Sequence, residues 1–224
     1  MYKKMTKIIL SLDTSINCCS VALLINDYID SLFEKCNRNQ TKKILPMIQK
    51  ILKRNSINLN EISLIGVTHG PGELTGIRTA ICVSKSISII KKIPLISVST
   101  LSVLAEQSKR LYLIDKVLVF MNFNKNKTFL GKYFINNKNG VFELEGEERL
   151  LNKNDINIKN LNLNDEWTAI GNSFKKKDFE KHKKIKFMKI TIPNAVDILP
   201  FANLFYQNKE NFKNVKNIKV NYLY

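Results

Sequence analysis

Apolar residues recur along the first hundred positions with two spacings, strict alternation and a helical period of about 3.6 residues. Alternating or continuous apolar runs predict strands at residues 8–12, 19–25, 28–36, 64–67 and 95–98. Helical spacing predicts one helix from residue 39 or 41 to 55, a second from 76 to 90, and a third from a Ser99 cap to 109. The order is β-β-β-α-β-α-β, and right-handed crossovers place the first two helices on a mixed sheet.

The second half of the chain repeats this order less regularly. Strands are predicted at residues 116–121, 127–135, 141–150, 167–170 and within 184–192, and Pro193 is predicted to open a helix that runs to about residue 207. We therefore predict an α/β chain of two lobes, residues 1–107 and 108–224, with a degenerate repeat in the second lobe and the last helix packed back on the first. This arrangement resembles the two-lobed ribonuclease-H-like, actin-like ATPase (ASKHA) fold.

Composition narrows the class of protein only slightly. The chain has 36 Lys and Arg against 19 Asp and Glu, which gives a net charge of +17 at pH 7. Such a charge permits RNA binding. The lysines are scattered, however, and are not interleaved with aromatic residues as in a stacking surface. No apolar run approaches the ~18 residues of a membrane span, and residues 1–7 show no signal-peptide pattern, so a cytoplasmic location is expected.

Cysteines and histidines are poorly spaced for a metal centre or for nucleophilic catalysis. The four cysteines form no C-x-x-C pair, and all are expected to be reduced packing residues. His69 and His182 are the only histidines, so no H-x-x-x-H or H-E-x-x-H pair exists, and no G-x-S-x-G elbow is present. We therefore expect neither a metal site nor peptidase chemistry, and His69 is expected to be a loop residue.

Four of the eight glycines fall within residues 66–76, between a predicted strand and a predicted helix. Such a loop is either a closely packed joint or a site where backbone N–H groups meet an anion, and the sequence leaves both open. Asp13 poses the same alternative, because it could face the metal-bound phosphates of a nucleotide or hydrogen-bond its own turn. The candidate nucleotide- or anion-facing residues are Asp13, Gly70, Gly72, Gly76 and Arg78.

The helix after these glycines is apolar on two sides, so its own sheet can cover only one of them. The second lobe or another chain could cover the other side. A partner chain is favoured, because the first helix with its flanking basic residues could join the same surface. The predicted partner-binding residues are Ile44, Leu45, Ile48 and Ile51 of the first helix and Ile77, Ala80, Ile81, Ser84 and Ile87 of the second.

Several stretches together resemble the bacterial TsaB family, once called YeaZ, of the sugar kinase, Hsp70 and actin superfamily. They are residues 9–15 (Ile-Leu-Ser-Leu-Asp-Thr-Ser), 44–48, 70–78 (Gly-Pro-Gly-Glu-Leu-Thr-Gly-Ile-Arg) and 98–101, of which 70–78 is highly specific. Residues 167–171, 193–197 and 220–224 are similar to family features more loosely.

The resemblance implies a role in making threonylcarbamoyladenosine beside the anticodon of ANN-decoding tRNAs. It implies a non-catalytic subunit that pairs with the TsaD transferase, or with itself, through the first two helices, here residues 41–55 and 76–90. A TsaE ATPase is expected to join the pair. The resemblance further implies no cofactor for the chain alone, ATP or ADP with magnesium only at the interface of the complex, and tRNA contact only through the complex.

One segment departs from the family pattern. Members commonly carry an Asp-Ala-Arg motif followed by Glu and Tyr at the first strand of the second lobe, whereas residues 122–129 here read Asn-Phe-Asn-Lys-Asn-Lys-Thr-Phe. The charges that the motif would bring to a nucleotide site are missing.

The alternative hypothesis is an ATP-binding phosphotransferase or ATPase of the actin-like superfamily that uses Asp13 and the loop at residues 70–76. It predicts magnesium-dependent nucleotide binding by the isolated chain.

Overall fold

The computed structural model describes residues 6–36, 38–156, 163, 165–174 and 185–208. These residues form two compact units, the first from residues up to 100 together with 194–208, and the second from residues 101–193. The sequence-based division fell after residue 107 and assigned residues 194–208 to the second lobe, with the last helix packed back on the first. In the structure, residues 194–208 belong to the first unit, because they pack on the sheet of that unit. Within the described ranges, no helix combines the length and apolarity needed to cross a membrane.

The described elements follow the predicted order. The strands are β1 (Ile8–Asp13), β2 (Cys18–Ile25), β3 (Tyr28–Lys35), β4 (Leu64–Thr68), β5 (Leu95–Val98), β6 (Lys116–Asn122), β7 (Lys127–Ile135), β8 (Phe142–Leu144), β9 (Arg149–Asn152), β10 (Trp167–Gly171) and β11 (Ile185–Met188). The helices are α1 (Gln40–Arg54), α2 (Leu74–Lys91), α3 (Thr100–Tyr112) and α4 (Leu199–Gln207). The strands and helices predicted for the first hundred residues are thereby confirmed to within three residues at each end.

The sheet of the first unit has the order β3-β2-β1-β4-β5. The meander of β1, β2 and β3 is antiparallel, whereas β4 runs parallel to β1 and β5 runs parallel to β4. Successive residues of a strand face opposite sides of the sheet. On β1, Ile8, Leu10 and Leu12 therefore face one side and join the core formed with α1 and α2.

The opposite face of this sheet is covered by residues 194–208. Ser11 Oγ donates a hydrogen bond to the backbone oxygen of Ala195 at 2.7 Å, and the Ala195 N–H donates to Ser20 Oγ at 2.8 Å. Gly66 makes room for this layer, because a Cβ at that position would lie 2.8 Å from Ile198 Cγ2. Helices or turns thus cover both faces of the sheet at β1, β2 and β4, as the near-continuous burial of these three strands requires.

The last helix begins later than predicted. Pro193 was expected to open it, but Asn194 instead caps a 3-10 turn at Ala195–Ile198, where its side chain accepts a hydrogen bond from the Val196 N–H at 3.0 Å. The α-helix follows only from Leu199, with Pro200 in its first turn. Proline suits the start of a helix, and Pro200 rather than Pro193 takes that position here.

The second unit contains a six-stranded sheet of order β11-β10-β6-β7-β8, in which β9 also pairs with β7. Strand β10 is parallel to both β6 and β11, and the pairs made by β7 are antiparallel. The single strand predicted at 141–150 is wrong. Gly146 has a φ of 79°, in the left-handed region, so the chain turns there and leaves two short strands, each paired with β7.

Candidate functional site

The glycine-rich loop closes on the turn that follows β1. The Glu73 N–H donates to the backbone oxygen of Ser15 at 2.7 Å, and Thr14 Oγ1 donates to the backbone oxygen of Gly76 at 2.6 Å. A Cβ on Gly76 would overlap the Thr14 carbonyl, and one on Gly72 would overlap the Ser15 carbonyl. Both glycines are therefore required for backbone-to-backbone contact. Of the two alternatives left open by the sequence, this geometry favours the packed joint.

The start of the loop is tied to the end of β5. The His69 N–H donates to the backbone oxygen of Val98 at 3.0 Å, and the backbone oxygen of Gly70 accepts from the Thr100 N–H at 2.8 Å. Gly70 has a φ of 109°, a value that favours glycine, and precedes a cis peptide bond to Pro71. Burial lowers the pKa of His69, whose Nδ1 has no hydrogen-bond partner among the described residues. Gly70 and His69 thus hold the loop against the sheet.

Asp13 is fully buried at the end of β1. Its Oδ1 accepts hydrogen bonds from Thr68 Oγ1 at 2.6 Å, from Ser15 Oγ at 2.7 Å and from the Ser15 N–H at 3.3 Å. Its Oδ2 accepts a longer contact of 3.5 Å from Cys18 Sγ. Burial is the largest influence and raises the pKa of Asp13 above its ordinary value of 3.8, while these neutral donors act in the opposite direction. The carboxyl group therefore faces its own turn and β4.

The structure does not bring all the candidate anion-facing residues to one surface. Arg78 lies on the exposed side of α2, whereas Asp13 is enclosed by protein and Gly76 is buried against the Thr14 backbone. Glu73 is also engaged, because its Oε2 accepts a hydrogen bond from Gln40 Nε2 at 3.3 Å. The loop, the turn after β1 and the start of α1 thus form one interlocked joint.

Most of the predicted partner-binding residues lie in the core of the chain itself, and this corrects the prediction. Seven of them are at most 3% exposed, namely Ile44, Ile48, Ile51, Ile77, Ala80, Ile81 and Ser84. Ile87 packs against the same core, and Leu45, at 51% exposed, is the most accessible of the nine. The spacing of these residues correctly indicated buried faces of α1 and α2, but the sheet of this chain covers them. The seven side chains offer no surface to a partner.

The opposite side of α2 is exposed and apolar in part. Leu74 is 41% exposed and Ile89 is 75% exposed, and Arg78 and Cys82 lie exposed on the same side of the helix between them. We call Leu74, Arg78, Cys82 and Ile89 the outer α2 face. The sequence analysis recognised a second apolar side of this helix but assigned the partner-binding residues to the side that the core covers. The spacings of four, four and seven residues along the outer α2 face are a helical signal. The prediction that all cysteines are packing residues is wrong for Cys82, while Cys18, Cys19 and Cys36 are buried.

The segment that departs from the family pattern forms a simple hairpin. Asn122 ends β6, Lys127 begins β7, and Asn124 Oδ1 accepts hydrogen bonds from the N–H groups of Asn126 at 2.9 Å and Lys127 at 2.8 Å. An asparagine in this role stabilises a turn locally.

In the part of the chain that the structure describes, no three His, Cys, Asp or Glu side chains converge as metal ligands, and His182 lies outside that part.

Fold and joint together define the class: a two-lobed α/β protein of the actin-like type. Residues 32–120 match a family model described as TsaD, tRNA N6-adenosine threonylcarbamoyltransferase. A Buchnera aphidicola (Acyrthosiphon pisum) protein named tRNA threonylcarbamoyladenosine biosynthesis protein TsaB is 40% identical over 98% of this chain and 99% of its own length. The Escherichia coli K12 protein of that name is 29% identical over 90% of this chain and 88% of its own length.

A solved structure supports the same assignment of fold. The Pseudomonas aeruginosa protein described as YeaZ superimposes with a TM-score of 0.83 at 25% identity, covering 91% of this chain and 94% of that one. The chain therefore belongs to the TsaB family, which confirms the resemblance found in its sequence.

Proposed function

We propose that the chain acts in the synthesis of threonylcarbamoyladenosine in tRNA, next to the anticodon, as the non-catalytic partner of a TsaD-like transferase. The observation that carries the proposal is the 40% identity to a protein named for this pathway over 98% of the chain. A similarity that extends over both units is expected when the whole chain, and not one module, keeps the role.

The geometry around Asp13 supports a subunit without chemistry of its own. Three hydrogen bonds to Oδ1 hold the carboxyl group within the protein. The space beside Gly72 and Gly76 is occupied by the backbone of Ser15 and Thr14, respectively. A group that acts on a substrate must come within hydrogen-bond reach of it. We propose that the chain alone holds no nucleotide at Asp13, and that ATP or ADP with magnesium is bound only at the interface of the complex.

The outer α2 face is the proposed docking surface for the transferase. Ile89, near the C-terminal end of this face, is 75% exposed, and Leu45 of the neighbouring helix α1 is 51% exposed. The TsaD model matches residues 32–120, which include both helices, so the transferase would bring a related helix pair to the contact. Two related surfaces can meet in the manner of a symmetric dimer. In the absence of the transferase, the same face would pair two copies of this chain. A TsaE-like ATPase and tRNA would join the complex of the chain with the transferase.

Substitution of Ile89 tests the docking surface. Ile89→Asp should weaken pairing with the purified TsaD-like transferase of the same organism about tenfold or more, because a charge would be desolvated in the contact. Leu144→Asp is the matched control, since Leu144 is 38% exposed on β8 of the second unit. Light scattering coupled to size exclusion measures the complex, and mass spectrometry of digested tRNA measures the product. Equal pairing by both variants would show that the surface is misplaced.

Calorimetry separates this proposal from an ATP-binding phosphotransferase. We expect the isolated chain to show no binding of ATP that depends on both magnesium and Asp13. Micromolar binding that needs magnesium and disappears in Asp13→Ala would support the phosphotransferase instead. Thr168→Ala, a substitution in β10 of the other unit, controls for a general loss of fold.

A further inference from the structure

A cavity of about 710 Å³ opens in the second unit, at the carboxyl ends of the parallel strands β6 and β10. Three segments line it: the turn between β6 and β7, the 3-10 turn after β9, and the residues that follow β10. Its size is in the range of sites for small ligands. In open α/β sheets, the carboxyl ends of parallel strands are where ligands bind.

A buried hydroxyl group points to a ligand in this cavity. Ser173 lines it and is 6% exposed, and its Oγ has no hydrogen-bond partner among the described residues. Burying a hydroxyl group without a partner is unfavourable by an amount comparable to a lost hydrogen bond. A ligand group that reached the Ser173 Oγ would supply the missing hydrogen bond.

The remaining polar groups select a ligand of negative charge. Lys153 Nζ donates to Asn122 Oδ1 at 2.6 Å and to the backbone oxygen of Asn124 at 2.9 Å, which fixes the ammonium group at the wall of the cavity. A lysine has three N–H donors, so one remains for a ligand. Lys125 supplies a second positive charge.

Amide and aromatic groups complete the cavity. The lining includes the side chains of Asn126, Asn154 and Asn172, which can donate hydrogen bonds, and no carboxylate from the described ranges. The nearest acidic residue along the chain is Asp155, whose Oδ2 accepts from Asn152 Nδ2 at 2.7 Å. Phe174 forms an apolar wall, with its ring centre 5.5 Å from that of Phe120. Two ammonium groups, neutral donors and one aromatic ring suit a phosphate group that is joined to a sugar or base.

We propose that this cavity binds a phosphate group carried by a nucleotide or by an RNA strand, with Lys125, Lys153 and Ser173 as its donors. The site goes beyond the proposed pairing with a transferase and does not depend on it. It is also separate from Asp13, which lies in the other unit. Asp13→Ala should therefore leave this binding unchanged, so the test is independent of the one for the phosphotransferase.

The test measures binding of three probes to the full chain by calorimetry without magnesium: inorganic phosphate, ATP and a short single-stranded RNA. Lys125→Gln and Ser173→Ala should each weaken binding about fivefold to tenfold, because each removes one donor to the phosphate. Lys138→Gln is the matched control, since Lys138 is an exposed lysine of the turn between β7 and β8 in the same unit. ATP that binds more tightly than RNA identifies a nucleotide site, and the reverse order identifies an RNA contact.

Two results would overturn the proposal. One is the absence of binding by all three probes at concentrations of about 10 mM phosphate or ATP and about 0.1 mM RNA. The other is equal weakening by Lys125→Gln and Lys138→Gln, which would mean attraction to a diffuse positive surface. Folding does not confound the test, because the Ser173 hydroxyl has no described partner to lose and Lys125 is exposed. Unliganded Ser173→Ala should unfold at the same urea concentration as the unmodified chain, or at a higher one.

Discussion

At Gly76, helix propensity and close packing predict opposite effects of the same substitution. Gly76 lies in the first turn of α2, where alanine would ordinarily stabilise the helix by up to ~1 kcal/mol. Its Cβ, however, would overlap the Thr14 carbonyl. We expect Gly76→Ala to lower the free energy of unfolding by about 2 kcal/mol or more. Urea denaturation measures this free energy, and Ser86→Ala, on the exposed side of α2, should raise it by the small amount that alanine ordinarily contributes. A gain at Gly76 as well would argue against the joint.

Asp13 should make stability depend on pH in an unusual direction. Because burial raises its pKa in the folded state above the ordinary 3.8, the unfolded chain releases this proton first as the pH rises. The stability contributed by the protonated group is thus complete below the unfolded pKa and is lost as the pH rises through the folded pKa. Asp13→Asn keeps Oδ1 as acceptor for Thr68 and Ser15 without this loss.

The measurement is a series of urea denaturations of both proteins between about pH 3 and about pH 7. The variant should gain stability relative to the unmodified chain as the pH increases, and the difference should level off above the folded pKa. A difference that does not change with pH would show that folding leaves the pKa of Asp13 unshifted, and one that increasingly favours the unmodified chain at higher pH would show that the buried group is stabilised as a carboxylate.

At the scale of elements, the sequence predicts the first unit well because each of its strands and helices has one strong period. The prediction fails where a single residue interrupts a pattern. Gly146 divides a continuous run into β8 and β9, and Asn194 inserts a 3-10 turn before α4. A left-handed backbone conformation at Gly146 and a side-chain hydrogen bond at Asn194 outweigh the periodicity of the neighbouring residues.

The candidate site shows a different limit of sequence analysis. The glycines at 72 and 76 predict close backbone contact, but only the fold identifies the contacting group as the turn after β1. The spacing of Ala80 and Ser84 likewise predicts a buried side of α2 without naming what covers it. The cavity at Ser173 has no signal in the sequence at all, because its three lining segments meet only in the folded chain.

The two sides of α2 should therefore respond differently to truncation. Ile81 is 3% exposed in the core, and Ile81→Ala should lower the free energy of unfolding by about 2–4 kcal/mol. Ile89 is 75% exposed, and Ile89→Ala should change it by less than about 0.5 kcal/mol. Chemical denaturation of the unpaired chain makes the comparison, since both substitutions remove the same atoms from one helix. Similar losses at the two positions would mean that the outer α2 face is covered within the chain.

At the scale of the whole molecule, the proposed role requires an intact first unit and an accessible outer α2 face, but no reactive group at Asp13. Escherichia coli depleted of its own TsaB, which is 29% identical to this chain, offers a cellular test. The chain, co-expressed with the transferase of its own organism, should restore threonylcarbamoyladenosine in tRNA, as measured by mass spectrometry of digested tRNA.

Two variants make this experiment decisive, because the two hypotheses assign them opposite outcomes. If the chain acts by pairing, Ile89→Asp should reduce the modified nucleoside severalfold, since product forms only in the complex. Asp13→Asn should leave it unchanged, because the hydrogen bonds to Oδ1 and hence the joint are kept. If the chain instead transfers a phosphoryl group from a nucleotide at Asp13, the Asn variant should lose the activity and the Ile89 variant should keep it. Immunoblots that show equal amounts of both proteins exclude degradation as the cause.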